Sequence, residues 1–155
     1  MRKLLIPFVL VLVACGGSTT QSPVRTIPGH GAISVEVVPN PIRATQVSGS
    51  MYDFPFEVVI RETGGRAVNV TRVSVNVTAL GGLSVHRESW AADQIRSLGF
   101  SATVPANGEV RYRFSPRKEV PDERLFGGVN AQLTVDGRDD AGMATSAATT
   151  VTVTR

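Results

Sequence analysis

Cysteine is almost absent: Cys15 is the only one in 155 residues. That excludes an intrachain disulfide, and it leaves no thiol nucleophile or cysteine metal cluster in the body of the protein. Any folded domain must therefore stand on its core alone. Histidine is nearly as scarce, with only His30 and His86. The chain has no HExxH pair, no Cys/His metal spacing and no glycine-rich phosphate loop. Long runs of one charge are missing as well. Arg117-Lys118 comes closest to a basic run, and Glu119 follows at once. The other basic side chains are scattered and read as a solvated surface, which argues against a nucleic-acid partner.

The front end carries most of the specific information. Arg2 and Lys3 precede an apolar run from Leu4 to Val13, broken only by Pro7, and Ala14 and Cys15 follow. Basic, apolar, then small is the layout of an export signal. The run is shorter than the roughly 20 apolar residues a bilayer span requires. The tetrad Leu12-Val13-Ala14-Cys15 resembles the lipobox of bacterial lipoproteins. That resemblance implies cleavage before Cys15, a thioether-linked diacylglycerol on its sulfur, and acylation of the new amine. Membrane lipid would then be the first partner, since two or more acyl chains hold a protein stably where one binds marginally. Gly16 and Ser18 do not resemble the aspartate signal that retains some lipoproteins at the inner membrane. The expected place is the outer membrane where the host has one, and otherwise the outer face of the cytoplasmic membrane.

Loss of residues 1–14 removes Arg2 and Lys3 and takes the formal charge from +3 to +1. Residues 15–31 are the lipidated cysteine and a tether rich in Gly, Ser, Thr and Pro. Such a tether is flexible and reaches roughly 20–25 Å on average. His30 falls in it, between glycines, and reads as a linker residue. Residues 32–155 are long enough to form one domain with a substantial core.

Within that domain apolar residues alternate with polar ones. Ile33, Val35 and Val37 form one inward row, and Pro39-Asn40-Pro41 ends it. Tyr52, Phe54, Phe56, Val58 and Ile60 form a second, with Asp53, Glu57 and Arg61 outward. Val68 and Val70 are out of phase with Val73, Val75 and Val77, which predicts a bulge or break at Thr71-Arg72. Gly81-Gly82 marks a turn before a short strand at Leu83 and Val85. Ala91, Ile95 and Leu98 have helical spacing, with Gly99 as the stop. Strand signals resume at Phe100 to Val104, then Asn107-Gly108 turns the chain. Val110, Tyr112 and Phe114 point in, as do Val129, Ala131, Leu133 and Val135. Ala147, Thr149, Val151 and Val153 close the pattern.

About seven or eight short strands, each with one apolar face, predict an all-β fold, a single antiparallel sandwich. The runs FEVVIRETGGRAVNVTRVSVNVT (56–78) and LTVDGRDDAGMATSAATTVTV (133–153) resemble immunoglobulin-like modules of bacterial surface and secreted proteins. The paired cysteines and strand-C tryptophan of true immunoglobulin domains are missing.

Candidate sites are few. Asp136, Asp139 and Asp140 place three carboxylates in five residues and could offer oxygen ligands to Ca²⁺. The spacing is not that of an EF-hand, Arg138 interrupts it, and Asp and Gly are also what a hairpin turn needs. Trp90, the only tryptophan, is either an exposed anchor for a partner or a glycan, or a cover over the end of the core. His86 has Ser84, Glu88 and Asp93 near it in sequence. No nucleophile elbow or similar signature accompanies them, so His86 reads as a surface residue near a strand end. Asn69 and Asn76 match a glycosylation pattern and read as outward strand residues. The functional expectation is a non-catalytic module on the cell envelope, for contact with another envelope protein or for structural support. The alternative is a surface module that binds calcium or glycan.

Overall fold

The computed structural model describes residues 29–79, Gly82 and residues 84–155. Residues 1–28, with Cys15, the export signal and most of the tether, lie outside the described residues. So do Leu80, Gly81 and Leu83, at the expected turn and strand start.

In chain order the strands are β1 (Ile33–Val38), β2 (Ile42–Arg43), β3 (Thr45–Ser48), β4 (Met51–Asp53), β5 (Phe56–Glu62) and β6 (Val68–Thr78). After them come β7 (Ser84–Ala91), helix α1 (Ala92–Ser97), β8 (Thr103–Val104), β9 (Glu109–Phe114) and β10 (Arg117–Glu119). A 3₁₀ turn at Glu123–Gly127 leads to β11 (Asn130–Asp139) and β12 (Ala144–Thr154). The fold is all-β, a sandwich of antiparallel sheets. One sheet has the order β1-β5-β9, and the other β2-β12-β11-β6-β7 with β8 added to β6. A third, small sheet has the order β10-β4-β3. Pairing is antiparallel except where the two residues of β2 run parallel to β12.

The alternation read from sequence becomes the core. Ile33, Val35 and Val37 of β1 face Val135, Leu133 and Val151 of the other sheet in one apolar cluster with Val58, Ile60 and Tyr112. Burying side chains of this size contributes roughly 1.5–3 kcal/mol each, which replaces the staples that the missing cysteines cannot provide. The phase change in β6 is a bulge: Arg72 pairs Asp136 and Val70 pairs Gly137, so Thr71 is the extra residue. The outward face of β1-β5-β9 carries a charge ladder. Glu36, Arg61 and Glu109 bond in sequence, and Arg111 joins Glu109 to Glu57. Val59 pairs across to Glu36 and Arg111 beneath this ladder and is buried although its parity is outward. Arginine stems covering an apolar neighbour account for that.

Three local expectations are corrected. The inward row 52–60 is two strands in different sheets, because Pro55 lies between them and a residue without an N–H interrupts a ladder. Strand β7 is longer than the pattern indicated and takes in Trp90. The helix forms with Ile95 buried and Gly99 at φ +85, yet Leu98 is 54% exposed, just beyond the helix end. Three short strands, β2, β3 and β10, have no counterpart in the sequence pattern.

Candidate functional site

The two ends of the sandwich are built differently. At one end the chain enters the domain and two buried carboxylates fasten it. Glu62, 4% exposed, accepts from the backbone N–H groups of Ala32, Gly64, Gly65 and Asn107 at 2.6–3.1 Å. Asp139, 3% exposed, accepts from Gly31 at 2.9 Å, Ala141 at 3.0 Å and Met143 at 2.8 Å. Burial pushes the Glu62 carboxyl up, and its four N–H donors outweigh that and hold it below the usual range. The Gly31 N–H holds Asp139 below its usual range, against burial and with help from Met143 and Ala141. Three of these donors, on Gly31, Ala32 and Gly64, lie at the point of entry. Gly64 is required there because a Cβ would fall onto the carbonyl oxygen of His30. His30 is packed at this junction, and its Nδ1 is buried without a hydrogen-bond partner among the described residues.

The acidic turn read as a candidate calcium site belongs to this end. Its carboxylates do not converge. Asp139 is engaged with backbone, Asp140 pairs with Arg66 at 2.8 Å, and Asp136 lies within β11 and accepts from Ser146 Oγ at 2.8 Å. Among the described residues no group of three or more His, Cys, Asp or Glu side chains is arranged to hold a metal ion. Of the residues chosen as neighbours of His86, Glu88 lies 3.3 Å away, and Ser84 donates its hydroxyl to Asn76 instead. Trp90 is half-buried, pairs with Val73 across β6–β7, and packs against the core.

The other end holds a cleft. Residues 39–55 connect β1 to β5, and residues 115–129 connect β9 to β11. Both are long for connections in a sandwich, and they pair with each other: Lys118 lies opposite Tyr52, and Arg117 opposite Asp53. The result is a cap. Tyr52 is buried in it, stacks edge-on against Phe126 at 5.0 Å, and donates its hydroxyl to Glu123 at 2.7 Å. That bond raises the Tyr52 hydroxyl above its ordinary value. Asp122 caps the 3₁₀ turn by accepting from the Arg124 N–H at 2.9 Å, and Arg155 pairs with Glu123.

Between cap and sandwich the sheets do not close, and a cleft of about 440 Å³ remains. Its floor is Val75, Val77, Ala131, Leu133, Val151 and Val153, with Val37 and Phe56 from the opposite sheet. Its roof is Phe54, Pro116, Val120, Leu125 and Phe126. Only His86, Lys118 and Glu119 among the lining residues carry polar side chains. Leu125 is 44% exposed, and Val38, Val47 and Met51, on neighbouring segments of this end, are also exposed large apolar residues. Sequence reading missed this site. The available signal was Val120, Leu125 and Phe126 set in a charged connection too long for a hairpin.

The distance between the ends follows from β1. Ile33 pairs with Glu62 at one end and Val38 with Glu57 at the other. The five rises of this six-residue strand, at about 3.3 Å each, separate the fastened entry from the cleft by roughly 17 Å.

No protein-family model and no curated protein sequence matches the chain. Among solved structures, a structural-genomics target named SoR45 is similar with a TM-score of 0.54 at 15% identity, over 82% of this chain and 89% of that one. A protein solved under the name ApaA from Bordetella pertussis gives 0.49 at 16% identity, over 86% and 99%. A CARDB domain from Pyrococcus furiosus, solved in complex with di-metal ions, gives 0.37 at 10% identity, over 82% and 91%. The first likeness shows a shared all-β fold and nothing of function, and the two lower scores carry no argument.

Proposed function

We propose that this chain is a non-catalytic binding module of the cell envelope. Acylated Cys15 anchors it, on the outer membrane where the host has one, and the receptive part is the apolar cleft at the far end. The observation that carries the reading is the cleft itself. A sandwich closed by its own side chains leaves few voids larger than a water molecule. Here two long connections are used to hold the sheets open around about 440 Å³, a size within the range of ligand sites. Apolar surface of that kind on a soluble domain marks a binding groove or partner contact. The chain enters the domain at the opposite end, where Gly31 and Ala32 are fastened.

The test uses the full lipidated protein purified from its own envelope as wild type, Leu125→Asp and Met143→Asp. Both substituted side chains are exposed, and melting temperatures establish that both variants fold. The expected result is a stoichiometric companion, protein or lipid by mass, that is lost with Leu125→Asp and retained with Met143→Asp. A companion that survives Leu125→Asp, or no companion with any variant, contradicts the reading.

A further inference from the structure

We infer that the occupant of the cleft is a long acyl chain carrying an acidic head, supplied as a free fatty acid. This rests on the reading of the cleft as a binding site and names its ligand class.

The lining selects by what it cannot satisfy. A glycan would bring hydroxyl groups, and an extended peptide would bring backbone N–H and C=O groups. Walls of Val, Leu and Phe offer these no partners, and a buried polar group without a partner is costly. A single apolar side chain from a protein would fill only part of about 440 Å³. Several would bring their backbone with them. An unbranched hydrocarbon has no such groups and gains from every CH₂ it buries.

The rim supplies a place for the head. Glu119 is directed to Ser50, whose Oγ donates to Oε1 at 2.9 Å, and His86 lies beside Glu88 at 3.3 Å. The ammonium of Lys118 has no hydrogen-bond or ion-pair partner among the described residues, although it lies on β10 at the cleft. A carboxylate at the mouth would complete it, by a charge-assisted hydrogen bond. The apolar residues Leu125, Val47 and Met51 on the same end suit the passage of a chain between a lipid phase and the cleft. The acyl groups on Cys15 are a second source of the same chemistry, and the test removes them.

The probe is cis-parinaric acid, a fluorescent polyene fatty acid, titrated in detergent-free buffer into the full chain carrying Cys15→Ser. The expected result is saturable binding at one molecule per chain. Leu125→Asp should weaken it by more than about tenfold, since it sets a charge against the buried chain. Lys118→Glu, on an exposed strand face, should weaken it by about three- to tenfold, and the long-chain alcohol should bind less well than the acid. Absence of saturation, or indifference to Leu125→Asp, overturns the inference. Exclusion of the probe from the lipidated wild-type protein, with binding restored in Cys15→Ser, assigns the cleft to the protein's own lipid and also overturns it. If the fatty acid fails while a protein companion still depends on Leu125, the ligand class is wrong and the binding reading stands. If both fail, both fall.

Discussion

Two residues illustrate how a buried charge can be structural. Glu62 and Asp139 are the buried acids among the described residues, and neither has a lysine or arginine as its principal partner. Each is neutralised by backbone N–H dipoles, which is why each stays ionised below the ordinary carboxylate range. The consequence for pH has one sign. A carboxyl whose folded value is depressed adds stability above its unfolded value, roughly 4, and loses it as pH falls through the folded value. Thermal melts from pH 7 to 2.5 should therefore show a steep acid limb. Glu62→Gln should cost about 1–3 kcal/mol at neutral pH, because donors lose their acceptor, and its acid limb should be flatter. An unchanged limb would show that Glu62 is not the fastening it is described to be. None of this was legible in sequence. Glu62 carries no signal of its own there, and Asp139 stands with Asp136 and Asp140 in one acidic turn.

At the scale of elements, the strands that alternate were legible and those that cap were not. β1, β9 and β12 follow period two because one face meets the core and the other meets water, and the bulge at Thr71 was visible as a change of phase. β4 and β10 pair across more than sixty residues, and a local pattern carries no trace of that; β3 is a local hairpin partner of β4, exposed along its length, so no buried face gives it a period. β4 also shares apolar parity with β5, which hid the break at Pro55. The bulge brings Gly137 against β6: a Cβ there would lie 2.7 Å from Val68 Cγ1 and 3.0 Å from the Asn69 carbonyl oxygen. Gly137→Ala should lower stability by about 1–3 kcal/mol, as overpacking does. Gly127→Ala, where a Cβ meets nothing within 4 Å, should stay within about 0.5 kcal/mol. Urea denaturation of the two variants checks the pair, and equal effects would contradict the tight fit at the bulge.

For the molecule as a whole, the two ends have different proposed tasks: one holds the tether and one receives. No described helix is long and apolar enough to cross a membrane, and the proposed anchor is Cys15. Labelled palmitate should enter the wild-type chain and not Cys15→Ser, and Cys15→Ser should leave the membrane fraction. The fastened end should be indifferent to calcium, because Asp139 is already engaged and Asp136 and Asp140 face other partners. Melting curves in millimolar calcium and in chelator should superimpose, and a rise with calcium would reopen the acidic turn as a site. On the proposed function the capped end alone meets a partner. The most direct test is a photo-crosslinking amino acid placed in turn at Val47, Leu125, Leu98 and Met143 of the lipidated protein in living cells. All four positions are exposed and apolar, so they differ chiefly in place. Adducts from Val47 and Leu125, with none from Leu98 and Met143, are the predicted result. Adducts spread evenly over the four, or confined to Leu98 and Met143, would contradict it.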